Sequence, residues 1–176
     1  EQDLITADKK DSQGLCFIGK VKLPTFLQQK LEPKKGNVIE IEKNSELFKD
    51  NPALKEFNYS LNNLKEMTAP FLYKNTDGKK IGEHSGAHYY TIGQRKGLNI
   101  GGKVEPLFVI DTNVDDNIVY TGQGANHPGL LRKGLFITNE ETHWIRKDLK
   151  LSIGEKKSYS VRFRYRQDLE NATLYQ

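Results

Sequence analysis

Leu107-Phe108-Val109-Ile110-Asp111 and Ile118-Val119-Tyr120-Thr121 are two short apolar runs, separated by the turn residues Asp115-Asp116-Asn117. Runs this short, rich in β-branched and aromatic side chains and bounded by Asp/Asn clusters, read as strands rather than helices. The same signature recurs toward the C-terminus at Leu135–Thr138, Tyr159–Arg166 and Ala172–Tyr175, with a turn at Gly154-Glu155. Short strands at such spacing point to a barrel or sandwich. The chain after Gly101-Gly102 is therefore expected to be all-β, and a boundary is placed near Lys103–Pro106.

Upstream the pattern is mixed. Asn37–Glu42 reads as a strand. Leu23–Leu31 carries Pro24 at the start of one or two helical turns. Asn51-Pro52 opens a helix, with Asn as cap and Pro in the first turn, and Leu54, Phe57, Leu61 and Leu64 follow at helical spacing. Phe71–Tyr73 and Lys79–Ile81 flank Asn75-Thr76-Asp77-Gly78, a short hairpin signal. The fold class is thus mainly β, α+β overall. Residues 1–19 form a tail ending in Leu15-Cys16-Phe17-Ile18, residues 20–104 a small central domain with an inserted helical segment at 44–74, and residues 105–176 an incomplete C-terminal β-barrel.

Composition sets the outer bounds. The chain has 176 residues, 28% charged and 36% hydrophobic, with mean hydropathy −0.69. No window reaches the roughly 18 apolar residues of a membrane span, and charges interrupt any secretory leader in the first 20 positions. A single cysteine makes neither an internal disulfide nor a cysteine-based zinc site. A soluble cytoplasmic protein is expected. The formal charge of +4 is unevenly placed: residues 1–128 hold 17 basic and 17 acidic side chains, residues 129–176 ten and six. Five of six arginines, Arg132, Arg146, Arg162, Arg164 and Arg166, lie in that last part. This suits a polyanion-facing surface and equally a solvated strand face.

Several motifs fail on inspection. His84 and His88 are four apart, but Ser85 replaces the glutamate that a metalloprotease helix requires. Gly122-Gln123-Gly124 starts like a dinucleotide fingerprint, yet His127 occupies the third glycine position. Gly93-Gln94-Arg95-Lys96-Gly97 lacks the ending of a P-loop. No metal site and no ATP site are expected in this chain. Gly93, Gly97, Gly101 and Gly102 permit tight turns, and Gln94, Arg95 and Lys96 supply polar contacts; a connector and an RNA-contacting loop fit equally well. Cys16 sits between Gly14 and Gly19 with Lys9, Lys10, Lys20 and Lys22 nearby. These neighbours favour a thiolate if they converge, while a lone cysteine in an apolar run is more often a buried small hydrophobe. Spacing alone leaves it open.

Four ordered blocks carry a resemblance. Lys9-Lys10-Asp11-Ser12-Gln13-Gly14-Leu15-Cys16-Phe17-Ile18-Gly19 resembles the second-cysteine segment of the bacterial tRNA-specific 2-thiouridylases. Gly82-Glu83-His84-Ser85-Gly86, Tyr90-Thr91-Ile92-Gly93-Gln94-Arg95-Lys96-Gly97-Leu98 with Gly101-Gly102, and Arg164-Tyr165-Arg166-Gln167 agree in order. Thr121-Gly122 through His127-Pro128 and His143-Trp144 fit as well. The resemblance implies sulfur transfer to C2 of the wobble uridine of tRNA, with ATP and Mg2+ used for adenylation and a persulfide carried on Cys16. It further implies tRNA contact at Arg164, Tyr165, Arg166 and Gln167, with Gln94, Arg95 and Lys96 as further tRNA-binding candidates. A sulfur-donor protein of a cysteine desulfurase relay is the implied second partner, and no membrane is involved. The family's ATP-binding loop and its upstream cysteine, which can pair with the persulfide cysteine, have no counterpart here, so a central and C-terminal part of a longer enzyme is expected, inactive alone. The barrel implied is of the translation-factor kind. Alternative readings are a non-catalytic RNA-binding module and, more weakly, a thiol redox protein without a resolving cysteine.

In the row Val161-Arg162-Phe163-Arg164-Tyr165-Arg166, strand periodicity puts Val161, Phe163 and Tyr165 on one side and the arginines on the other. Val161 and Phe163 are expected in the barrel interior, with Tyr165 at its rim.

Overall fold

The computed structural model describes residues 31–49, 61–163 and 167–176, in two compact units, Glu1–Phe136 and Ile137–Gln176. The architecture is mainly β with a few short helices. In the first unit a four-stranded mixed sheet contains β1 (Gly36–Glu40), β2 (Lys79–His84), β3 (Leu107–Asn113) and β4 (Ile118–Gln123) in the order β2-β1-β4-β3. Neighbouring strands run antiparallel except β1 and β4, which are parallel. Two helical pieces, α1 (Glu46–Lys49) and α2 (Leu61–Thr68), lie between β1 and β2 in sequence. The Leu54 and Phe57 end of the expected helical stripe lies outside the described residues, as do Cys16 and the expected helix at Leu23–Leu31.

The central strands are buried on both faces, which is why β4 reads as an uninterrupted apolar run instead of an alternation. On one face Ile39, Ile118 and Tyr120 pack with Ile41, Phe48, Phe71, Tyr73 and Ile110. On the other, Val38, Val109 and Val119 pack with Ala87, Leu98 and Leu107. A bulge at Ile110, which has no partner opposite it between the Val109–Thr121 and Asp111–Tyr120 pairs, turns that side chain to the first face beside its neighbour. Ile81 is the corresponding extra residue where β2 meets β1.

Asn117 closes the sheet at one end. Its φ of +56° fits the Asp115-Asp116-Asn117 turn, where Asn113 Oδ1 accepts from the Asp116 amide at 2.9 Å. Its side chain donates to the carbonyls of Lys34 (3.0 Å) and Lys35 (2.9 Å) and accepts from the Ala87 amide (3.0 Å). His127 closes the other end. It is fully buried, accepts at Nδ1 from the Gly129 amide (3.0 Å) and pairs through Nε2 with the Ile41 carbonyl (3.0 Å). That pair of partners fixes a neutral ring with its proton on Nε2. A Cβ at Gly122 would stand 2.5 Å from the ring, so the failed fingerprint glycine is there to make room for the histidine.

Three expectations are corrected. Phe71–Tyr73 is not a strand, and Asn75–Asp77 forms a single 3-10 turn in place of a hairpin. The alternation is real: Phe71 and Tyr73 are buried while Leu72 is exposed. It is satisfied by covering the sheet, with Phe71 5.2 Å from Phe48 and Tyr73 5.3 Å from Tyr120 between ring centroids. β2 pairs with β1 instead. Leu135–Thr138 is not a strand either; its Leu135, Phe136 and Ile137 are exposed, and Thr138 turns back through its hydroxyl to Glu141 Oε2 at 2.9 Å. Finally, the units divide after Phe136 and not near Lys103–Pro106, because the parallel pairing of β4 with β1 holds residues on both sides of that point in one sheet.

The second unit contains the antiparallel pair β5 (Lys156–Val161) and β6 (Glu170–Tyr175), so neither sheet among the described residues is closed. Tyr159 and Val161 are half-buried, whereas Phe163, past the end of β5, is 61% exposed and not interior. A two-stranded ribbon has no opposing layer of its own to bury it. Arg164, Tyr165 and Arg166 lie outside the described residues.

Asn117→Ala removes the partners of two carbonyls and one amide, all three in buried or half-buried bonds, and puts alanine at positive φ. A loss of about 3 kcal/mol is expected in urea unfolding, from roughly 1–3 kcal/mol per orphaned group and 1–2 for the backbone. A change under 0.5 kcal/mol would show that the turn does not hold the sheet.

Candidate functional site

Three of the four described candidate residues, Gln94, Arg95 and Lys96, lie in one segment, Tyr90–Gly102. It starts from a 3-10 turn at Ala87–Tyr89 and runs along the outer edge of β3. The Gly93 amide donates to the Val109 carbonyl (2.7 Å), and the Val109 amide donates to the Gln94 carbonyl (2.9 Å). The loop thus adds two ladder bonds to a strand edge that has no other strand partner among the described residues. Gly93 and Gly97 take φ of +81° and +92°, the left-handed turns for which glycine is suited. Leu98 then plugs the second face of the sheet, buried beside Val109 and Val119.

Within this segment the three candidates divide. Gln94 is half-buried and faces its own loop: Oε1 accepts from the Thr91 amide (3.1 Å), and Nε2 donates to the Lys96 carbonyl (2.8 Å). It shapes the connector. Arg95 and Lys96 are exposed and make no ion pair among the described residues. They are the groups available to a polyanion. Gln167 is half-buried between β5 and β6 in the second unit.

Two of the motif blocks meet in space. His84 and Tyr90 lie 5.5 Å apart between ring centroids, and both line a cleft of about 380 Å³ with Gly97–Gly101. A second cleft, about 500 Å³, runs from Arg95 along Leu98–Leu107. His84 is 5% exposed; its Nδ1 accepts from the Gly86 amide (2.9 Å), and its Nε2 is buried without a hydrogen bond. Burial holds its pKa below the usual histidine value, against the pull of the nearby Asn117 and Asn37 carbonyls. His88 shares no metal set with it; no group of three His, Cys, Asp or Glu residues among those described converges to hold an ion. Tyr90 donates to the Gly97 carbonyl at 3.2 Å, and burial raises its pKa.

A second cluster went unread in the sequence. The Arg132 guanidinium lies 4.0 Å over the Phe71 ring and donates to the carbonyls of Gly129 (3.2 Å) and Leu131 (2.8 Å). Burial raises Tyr73 to about 12 despite Arg132 beside it, and burial also raises Asp111. Arginine enrichment signalled a polyanion surface, but Arg132 is committed to packing on an aromatic ring. Asn99, which lines both clefts with Gly101, went unread, and in sequence Gly101 reads only as a turn glycine of the loop.

A small mixed sheet, with covering segments on both faces and a glycine-rich basic loop along one edge, defines the class. Residues 62–123 match the family model described as a tRNA methyl transferase PRC-barrel domain. Over its whole length the chain is 52% identical to a protein of Christiangramia forsetii and 54% identical to one of Flavobacterium johnsoniae, each covered over 44% of its own length. A protein of Karelsulcia muelleri is 49% identical over 98% of the chain and 42% of its own length. All three bear the name tRNA-specific 2-thiouridylase MnmA. The chain is similar to these proteins along essentially its whole length and spans less than half the length of the curated relatives it matches.

The buried histidines make the first unit acid-sensitive. His84 and His127 both have pKa values lowered by burial; Lys43 lowers His127 further, while the Ile41 carbonyl and Glu40 oppose. Below the unfolded-state value near 6.5, the unfolded chain takes up protons that the folded chain refuses, so stability falls with pH by up to about 1.4 kcal/mol per unit for each histidine. Asp111, whose pKa burial raises, acts in the opposite sense but only closer to the carboxylate range. Urea midpoints should drop between pH 7 and pH 5.5; a flat profile would remove this account of the two rings.

Proposed function

We propose that the protein carrying this chain transfers sulfur to C2 of the wobble uridine of tRNA, using Cys16 as the persulfide carrier. The observation that carries this is the 52–54% identity over all 176–177 aligned residues, the Cys16 segment included, to relatives named for 2-thiouridylation. The match to the methyl transferase PRC-barrel model spans residues 62–123 and does not include Cys16, so it does not bear on the sulfur-carrying step.

In this reading the Cys16 thiolate attacks the outer sulfur of a donor protein's persulfide. The donor S–S bond breaks, the donor leaves as a thiolate, and Cys16 holds the sulfane sulfur. ATP with Mg2+, held by another part of the longer protein, would supply the adenylyl group that activates the C2 oxygen, with pyrophosphate as the leaving group. The terminal persulfide sulfur attacks C2 and AMP departs with that oxygen. A second thiol then attacks the Cys16 sulfur, forming a disulfide and leaving 2-thiouridine. The tRNA-contacting residues of this reading hold RNA rather than perform that chemistry: Arg95, Lys96 and Gln167, together with Arg164, Tyr165 and Arg166, which lie outside the described residues. Gln94 serves the same site by shaping the loop. A cytoplasmic location, where tRNA and the donor relay meet, fits this reading; no helix among the described residues is long and apolar enough to cross a membrane.

The alternative, an RNA-binding module without catalysis, rests on the ten basic against six acidic side chains in residues 129–176. Cys16→Ser separates the two. In the intact natural protein it should abolish 2-thiouridine formation, read by mass spectrometry of digested tRNA, with tRNA Kd within twofold, because a hydroxyl carries no transferable sulfur. Thiolation that persists in this variant eliminates Cys16 as carrier. Arg164→Ala should weaken tRNA binding at low salt and make its salt slope shallower by about 0.7 to 0.9, the contribution of one phosphate contact. An unchanged slope would make that arginine a solvated strand residue.

A further inference from the structure

Among the described residues nothing requires Gly101 to be glycine. Its φ lies outside the left-handed region, and a Cβ there would meet nothing within 4 Å. The contrast with Gly82 is direct, since a Cβ at that position would press on Ile100 Cδ1 at 2.9 Å. Gly101 lies where the two clefts adjoin and lines both of them, as does Asn99. Asn99 is exposed at φ +54°, and its amide has no partner among the described residues. Val104, on the second cleft, is 98% exposed.

The charges around the clefts sort in one direction. Glu83 is paired with Lys80 at 3.1 Å, Glu105 with Lys43 at 2.5 Å, and Lys103 with Glu40. His84 is buried and Arg95 is not paired. Among the described residues the lining therefore presents one cation without an ion-pair partner, an amide without a hydrogen bond, a bare stretch of backbone and an exposed apolar side chain. Those are the requirements of a ribose-phosphate strand: a cation for phosphate, an amide for a 2′-hydroxyl or base edge, close approach to backbone, and an apolar contact for sugar or base.

We propose that the ridge Asn99–Gly101, between the two clefts, is a seat for an RNA strand, with Arg95 on a phosphate and Gly101 admitting the sugar-phosphate backbone against the protein main chain. The proposal rests on the tRNA reading above and adds to it a place and a contact mode. Asn99 gives the seat a means of distinguishing ribose from deoxyribose, and Val104 flanks the strand on the Arg95 side.

The test measures tRNA binding by the full chain across a salt series, alongside thermal melts. Gly101→Ala and Gly101→Leu point into open space, so their melting midpoints should match the parent. Gly101→Leu should weaken tRNA binding at least tenfold and Gly101→Ala about threefold. Arg95→Ala should weaken it about fivefold and lower the salt slope by about 0.7 to 0.9, one phosphate contact. If the parent binds tRNA and all three variants bind as the parent does, the seat is refuted while the tRNA reading stands. If the parent chain binds no tRNA, both fail together. If the variants keep their tRNA Kd but the intact protein loses stability or activity, the ridge faces protein instead of RNA, and the proposal is overturned.

Discussion

The parallel pairing of β1 with β4 is the constraint on which the first unit depends. Parallel partners distant in sequence gain nothing until the chain between them is ordered, so their closure carries a loop-entropy cost. Side-chain to main-chain bonds offset it at three levels. Asn117 grips the two carbonyls before β1, the Thr121 hydroxyl donates to the Ile39 carbonyl at 3.1 Å, and His127 takes the Ile41 carbonyl just past the strand. Each group is buried or half-buried, where an unmade bond is costly. A second staple, the Glu40 carboxylate shared by Lys103 and Gln123, ties the approach to β3 to the same strand pair.

Those clamps decide what could be read in advance. β1, β3, β4 and the Asn117 turn are legible because their signal is local: apolar runs bounded by turn residues. Partner choice is not local. Phe71–Tyr73 and Lys79–Ile81 satisfy a hairpin pattern, yet Gly78 serves close approach to the Glu40 carbonyl, and the first of the two segments covers the sheet instead of joining it. Period two reports an extended chain with one buried side. It does not report whether the neighbour is a strand or an aromatic layer.

The site shows the same division. Glycine density and basic residues identified Tyr90–Gly102, but composition does not say that Gln94 turns inward while Arg95 turns out. Nor does it separate Gly93 and Gly97, which are needed for backbone conformation, from Gly101, which is not. The three-dimensional surroundings make that distinction. His127 behaves similarly: in sequence it spoils a nucleotide fingerprint, and in space it is the reason for the glycine five residues before it.

The sheet's two margins are protected by different means. β2 carries Lys79 and Lys80 and is bent by the extra residue Ile81, a combination that discourages another strand from adding on. The β3 margin has no such charges in its first four residues, Leu107-Phe108-Val109-Ile110, and among the described residues is shielded by the Gly93–Gln94 bonds to Val109. The loop read above as an RNA contact is therefore also the cover over an adhesive apolar strand. A lineage in which that loop were shortened would face aggregation before any deficit in RNA handling, so solubility and recognition constrain the same dozen residues.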